Sequence, residues 1–239
     1  MKNKQSFYEK TYAFKGEISL RSKIGFLYKL LRKFESYRED VAYNFLPHGE
    51  NFLDIGCGDG NLVFKALNKY RFVYGLDIAR TRIFRANSKK DKMRQDKKAR
   101  IKFSVFDVDD KLSISNNSFD TVCMVAAFEH FFDPYHVLSE IKKVLKKGGI
   151  LVIQVPNLGF LPRRLAVLLG NLPVTSEDDK GWDGGHLHYF TLKSLVVFLE
   201  TNGFTVRKVT CSGIFARFRS WWVSLLGADI IIKAEKNEK

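Results

Sequence analysis

The sequence predicts an α/β protein: about seven strands in one mostly parallel sheet with helices on both faces. Three observations predict it. Between Asn51 and Val155 short apolar runs alternate with segments of helical spacing. The first of those runs passes into "NFLDIGCGDGN", with three glycines and two aspartates within the seven residues Asp54–Gly60. The next two strands also end on an acid, so Asp54, Asp77 and Asp107 form one acidic rim at consecutive strand ends.

The elements follow in order. "EISLRSKIGFLYKLLRKFESYREDVAYNFL" (residues 17–46) has apolar residues at helical spacing and stops at Pro47, which predicts a helical cap over residues 1–48. Residues 49–239 then read as strand 51–55, helix 61–70, strand 72–76, one basic helix, strand 101–106, strand 119–125, helix 134–146 and strand 150–155. Lys146, Lys147, Gly148 and Gly149 read as the stop of the helix before that last strand. A Pro- and Gly-broken stretch at about 157–190 contains a short helix near Arg163–Leu169 and is long enough for a lid after the fifth strand. Thr191 is the expected N-cap of "LKSLVVFLETN", Gly203 ends that helix, and "FTVRKV" and "ADIIIKAEK" supply the last two strands.

Length and composition fit a folded protein with a sizeable core: 239 residues, 45% apolar and 28% charged. No apolar run approaches the roughly 18 residues of a membrane span, and the basic N-terminus lacks the apolar stretch of a signal peptide. Cys57, Cys123 and Cys211 are too scattered for a metal motif or a disulfide framework. Together these features suggest a cytoplasmic protein. The net charge of +14 is concentrated in Arg80–Lys102, where eleven Lys and Arg face two Asp. That segment reads as a solvated helix face, or else as a phosphate-contacting patch; it carries no interleaved stacking aromatics.

The glycine turn decides the ligand class. Glycines at a strand end let the backbone approach a ligand and adopt positive φ. Asp54, inside an apolar strand, needs a partner such as a ligand ammonium. Asp77 is placed to accept both hydroxyls of a ribose, and Asp107 suits an amino group such as that of adenine. The spacing is G-x-G-x-G with Asn61 where a dinucleotide fingerprint wants its third glycine, which argues against a nicotinamide oxidoreductase.

"LDIGCGDG", "GLDIA", "FSVFDVDD", "SFDTVCMVAAFEHFFDP" and "VLKKGGILVIQVPN" resemble, in order and spacing, the motifs of class I S-adenosylmethionine-dependent methyltransferases over about residues 51–157. "GWDGGHLHYFTLKSLVVFLETNGF" extends the likeness to small-molecule members, among them ubiquinone-biosynthesis O-methyltransferases and MetW-like proteins. The resemblance implies a Rossmann-like sheet with a reversed last strand and S-adenosylmethionine as cofactor. It implies that Asp54, Gly56, Cys57 and Gly58 surround the methionine part, Asp77 and Ile78 the ribose, Asp107 and Val108 the adenine, and that Ala126 lies under the sulfonium. Tyr12, with Tyr8, resembles the N-terminal tyrosines that close over the cofactor.

Methyl transfer chiefly needs alignment, and a base matters when the acceptor is a weakly acidic hydroxyl. His130 in "FEHFFDP" is the first candidate, with His188 and His186 in the lid as the others. The alternative for Glu129 and His130 is that they satisfy backbone groups of their turn. His186 and His188 also raise a metal reading, but with no carboxylate or cysteine cluster beside them in sequence no metal is expected. "FLPRRLAVLLG" and "GIFARFRSWWVSLLG" mix apolar, aromatic and Arg residues, as a lipid-like substrate cover or a peripheral contact with the inner membrane face would, or simply a packed core. The expected acceptor is a small or lipid- or glycan-linked molecule. Nucleic acid is disfavoured because "MVAAFEHF" lacks the Asn/Asp-Pro-Pro-aromatic sequence of amine-directed DNA methylases and no cysteine follows a proline. A cofactor-binding protein acting through a partner stays open. The sequence leaves the oligomeric state unassigned.

Overall fold

The computed structural model describes Gln5, Ser6, Glu9 and residues 31–110, 112, 114–176 and 185–238. Seven strands form one sheet: β1 (Gly49–Ile55), β2 (Tyr70–Asp77), β3 (Ile101–Val105), β4 (Phe119–Val125), β5 (Leu145–Pro156), β6 (Phe204–Thr210) and β7 (Asp229–Lys236). Their spatial order is β3-β2-β1-β4-β5-β7-β6. The first five are parallel, while β7 runs antiparallel to both β5 and β6. The reversed last strand implied by the family resemblance is therefore present.

Side-chain alternation sorts the core onto two faces. Leu53, Ile55, Val122, Met124, Leu151 and Ile153 point into one cluster. There they meet helices α5 (Pro134–Val144) and α7 (Leu192–Thr201). Phe52, Cys123, Val152 and Ile231 point into the other. They meet α1 (Arg38–Phe45), α2 (Asn61–Ala66) and α3 (Arg80–Asp91). All three cysteines are buried thiols. Asp133 caps α5 by accepting from the amides of Tyr135 and His136, and Thr191 caps α7 through a reciprocal pair with Ser194.

Several boundaries differ from the sequence expectation for local reasons. The helix predicted to reach Tyr70 stops at Ala66, because Lys69 turns back to donate to the carbonyls of Tyr43 and Leu46. The basic segment is two helices, α3 and α4 (Gln95–Lys98), broken where Met93 packs on the core and Arg94 is extended. The helix expected to reach Lys146 ends at Val144. Leu145 is extended, fully buried and paired with Phe119, so the Lys-Lys-Gly-Gly stretch already belongs to β5. In the expected lid, α6 spans Leu161–Leu168. Two residues of the expected cap region, Glu35–Ser36, pair with Gly213–Ile214 in a small second sheet. No helix among the described residues is long and apolar enough to cross a membrane.

Candidate active site

The strand order reverses between β1 and β4, and a cleft opens at their carboxyl ends, where open α/β sheets take ligands. It encloses about 530 Å³ of empty space, open solvent included, and is lined by Gly56, Asp77, Ile78, Asp107, Val108, Ala126 and His130, among others. All seven were marked by the sequence. Four further lining residues were not: Arg82, Phe106, Ala127 and Phe131.

The glycine turn is built tightly against both neighbouring strands. Gly56, Gly58 and Gly60 have φ of 74°, 54° and 82°. A Cβ on Gly56 would lie 2.6 Å from Ala127 Cβ, and one on Gly60 2.6 Å from Phe103 Cζ. Packing therefore demands two of the three glycines in its own right, more than the sequence suggested. The amides of Gly56 and Cys57 donate to Leu76 O at 2.8 and 3.0 Å, which ties the turn to the end of β2.

Asp77 holds the two loops together. One carboxylate oxygen accepts from Gly58 N at 2.8 Å, and the other accepts from Ala79 N at 2.8 Å. Burial pushes its carboxyl up from the usual range; the two amides and the Arg82 guanidinium act the other way. Arg82 reaches back beside Gly58 and Asp59 from the first turn of α3. Asp54 is 3% exposed, and burial with Glu39 and Asp77 nearby holds its carboxyl well above the ordinary value. It lies below the turn and does not line the cleft. Cys57 also faces away: its Sγ packs on Gly75 of β2, and burial raises its thiol well above the usual value. Ala126 adopts a left-handed φ of 51° at the end of β4, a conformation costing an alanine on the order of 1–2 kcal/mol. Such strain is characteristic of functional turns. Gln5 donates to Ile78 O at 3.3 Å, so a piece of the N-terminal segment reaches this rim. Tyr12 and Tyr8 lie outside the described residues.

On the far side of Ala126, the helical turn Phe128–His130 meets residues 185–188, part of the stretch expected as a lid. His130 Nδ1 is 3.1 Å from Gly185 O. A carbonyl only accepts, so Nδ1 carries a proton. His186 crosses His130 edge-on, with ring centroids 4.7 Å apart, and its Nδ1 is 2.6 Å from Thr175 Oγ1. The amides of Leu187 and His188 donate to Glu129 O at 2.9 and 3.1 Å, pinning this stretch to the turn. His188 does not join the cluster; its ring lies against Phe190, with centroids 6.5 Å apart. Glu129, which sequence spacing left apart from His186, is beside it: Oε1 is 3.9 Å from His186 Nε2. Full burial pushes the Glu129 carboxyl up to about 7.

The residues fit the cofactor implied by the resemblance. Glycine backbone, the two acids Asp77 and Asp107 and apolar Phe106, Val108 and Phe131 line one cleft, the mix of donors, acceptors and apolar surface that a nucleoside carrying an amino acid needs. A methyltransferase-domain family model matches residues 29–209. Among curated relatives, the mitochondrial ubiquinone biosynthesis O-methyltransferase of Dictyostelium discoideum is 31% identical over 55% of this chain and 44% of its own. The 2-methyl-6-phytyl-1,4-hydroquinone methyltransferase of Synechocystis is 28% identical over 78% of this chain and 56% of its own. The chain thus spans about half the length of these curated relatives. Among solved structures, a SAM-dependent methyltransferase of Methanosarcina mazei has the same fold, with TM-score 0.62, 24% identity, and coverage of 86% of this chain and 100% of that one. So does the Haloferax volcanii complex of a methyltransferase with the Trm112 activator, with TM-score 0.62, 16% identity, and coverage of 93% and 99%. The chain belongs to the methyltransferase-domain family, the class I S-adenosylmethionine-dependent methyltransferases with a Rossmann-like sheet.

Proposed function

We propose that the chain transfers a methyl group from S-adenosylmethionine to an oxygen of a small or lipid-like acceptor. The observation that carries this reading is the polarity of the cleft, with Asp77 and Asp107 at one end and Ala126 and His130 at the other. When bound, the cofactor supplies a sulfonium methyl for in-line displacement: the acceptor-oxygen bond to carbon forms as the carbon–sulfur bond breaks, and the acceptor's proton is released. Asp77 keeps lone pairs for ribose hydroxyls while its two amide bonds hold both loops still. Phe106, Val108 and Phe131 exclude water from the base side. Ala126 leaves room at the methyl, and His130, held through Nδ1 by Gly185 O, is the base candidate for the incoming hydroxyl. Alignment of this kind supplies up to about 7–11 kcal/mol in favourable reactions. The test is incubation with methyl-labelled cofactor and separate pools of phenols, lipid hydroquinones, amines and tRNA. Label in an oxygen acceptor is the expected result. Label only in tRNA or in amines would contradict it.

Two observations favour the lipid-like side of that acceptor class. First, the Synechocystis relative is by name a methyltransferase of a phytylated hydroquinone. Second, Leu165, Leu168 and Leu169 of the α6 region, and Phe218 and Trp221 near the C-terminus, are exposed apolar groups, the most open being Leu168 at 80% and Trp221 at 82%. Arg163 and Arg164 reach across to the C-terminal segment and Arg219 stays within it, all three held by backbone carbonyls. Arg163 donates to Asn157 O and Ala228 O, Arg164 to Gly159 O, and Arg219 to Leu226 O and Ile214 O. Three of the four arginines expected at a lipid surface are thus structural, and the apolar side chains are the ones open to a membrane. Leu168→Asp with Trp221→Asp is expected to cut co-sedimentation with anionic vesicles at least fivefold at unchanged Tm. Equal sedimentation of variant and parent would remove the membrane from the proposal.

The basic α3–α4 segment favours nucleic acid less than its charge suggests. Arg82 and Arg85 approach Asp59, Lys98 pairs with Asp91, Arg94 with Asp96, and Lys89 donates to Asp59 O and Asn61 Oδ1. A protein partner remains a second reading, favoured by the likeness to a methyltransferase solved with an activator. Cofactor binding without turnover of any acceptor pool would support it.

A further inference from the structure

Glu129 has no task in methyl transfer as described, yet it is the most exacting side chain in the site. It is 1% exposed, and neither carboxylate oxygen has a hydrogen-bond partner among the described residues. A buried, unmatched carboxylate is costly, and native chains retain such groups chiefly where something binds them. Its neighbours are two imidazoles. One donor atom each from Glu129, His130 and His186 lie within 4.8 Å of one another. Zinc-type bonds of about 2.0–2.2 Å place neighbouring ligand atoms roughly 3–4 Å apart, so a small inward rotation of the side chains closes the set.

The outer contacts of the two rings point the same way. His130 Nδ1 is held by Gly185 O at 3.1 Å and His186 Nδ1 by Thr175 Oγ1 at 2.6 Å. Each ring is therefore oriented through Nδ1, and His186 Nε2 lies 3.9 Å from Glu129 Oε1. Metal-ligating histidines are oriented in this way, with the second nitrogen on a carbonyl, hydroxyl or carboxylate. We propose that Glu129, His130 and His186 hold a divalent transition-metal ion at the acceptor end of the cofactor cleft, with further coordination positions left for acceptor oxygens.

Two imidazoles and one carboxylate suit zinc, manganese, iron or cobalt better than calcium or magnesium, which favour all-oxygen sets. The ligands come from two elements. Glu129 and His130 follow β4, whereas His186 comes from the lid, so an ion would staple the lid to the sheet where Leu187 and His188 already donate to Glu129 O. This inference rests on the methyl-transfer reading for its purpose alone: an ion at this place draws an acceptor hydroxyl in and makes its proton easier to lose, a task otherwise left to His130. The site's existence does not depend on turnover.

The experiment uses the full chain stripped with chelator and titrated with Co²⁺ by calorimetry and visible absorption, and separately with S-adenosylmethionine. One Co²⁺ per chain with a new d–d band is expected, weakened at least tenfold in Glu129→Gln and in His186→Ala, while both variants keep parental cofactor affinity. Glu129→Gln keeps the shape of the buried side chain and guards against simple unfolding. Absence of stoichiometric Co²⁺ on the parent, or equal binding by parent and both variants, would overturn the site. Absence of cofactor binding on the parent would instead strike the methyl-transfer reading and leave the metal result standing.

Discussion

Gly56→Ala is expected to abolish measurable cofactor binding and to cost roughly 2–4 kcal/mol of stability. The position carries two independent demands. Its φ of 74° disfavours any Cβ, and that Cβ would sit 2.6 Å from Ala127 Cβ. Neither atom can yield easily, because Ala127 is 7% exposed at the end of β4 and Gly56 is bonded to Leu76 O. The double variant Gly56→Ala/Ala127→Gly separates the demands. It removes the collision but not the strained dihedral, so about half the loss in denaturant midpoint should return. Full recovery would mean that packing alone requires the glycine; no loss in the single variant would mean the turn is looser than described.

Asp54→Asn should change stability and affinity in opposite directions. Burial, with Glu39 and Asp77 nearby, holds the Asp54 carboxyl well above its unfolded value. In the pH range between those two values the folded chain binds more protons than the unfolded chain, so this group's contribution falls as pH rises through the range and stays low above it. The neutral amide escapes that loss. At pH 8 the variant should gain on the order of 2 kcal/mol without ligand, with a smaller gain at pH 5. Its affinity for S-adenosylmethionine should drop at least tenfold, because a carboxylate buried beneath the glycine turn no longer offsets, from below, the ammonium group of a ligand held on that turn. Thermal melts with and without ligand at these pH values read both effects. A variant less stable than the parent at pH 8 would contradict the account of Asp54.

The legible parts of this molecule are those set by short-range rules. Alternation marked the strands because each sheet residue faces one of two apolar clusters, as Leu53 and Phe52 do. Glycine punctuation and acids at strand ends marked Gly56, Asp77 and Asp107, the family resemblance marked Ile78, Val108 and Ala126, and its place after the fourth strand marked His130. Arg82 was hidden within a run of cations that reads as a solvated face, although its place five residues after Asp77 carries it back over the loop. Phe106 and Phe131 carry no charge or glycine signal that sets them apart from other aromatics of the chain. The Glu129–His186 approach was illegible for a different reason. It spans a separation of 57 residues and depends on a chain return fixed by the backbone bonds of Leu187 and His188 to Glu129 O, which no side-chain pattern records. The arginines of α6 and the C-terminal segment misled similarly: amphipathic spacing revealed their apolar neighbours, but not the carbonyls they hold.

The most direct measurement is calorimetric titration of the full chain with S-adenosylmethionine and S-adenosylhomocysteine, beside Asp77→Ala. Asp77 lines the cleft and fixes Gly58 and Ala79 through both carboxylate oxygens. The account predicts one molecule bound per chain, at micromolar affinity, weakened at least tenfold by the substitution, or about 1.4 kcal/mol. Parental affinity in Asp77→Ala, or no binding of either ligand to the parent, would contradict it.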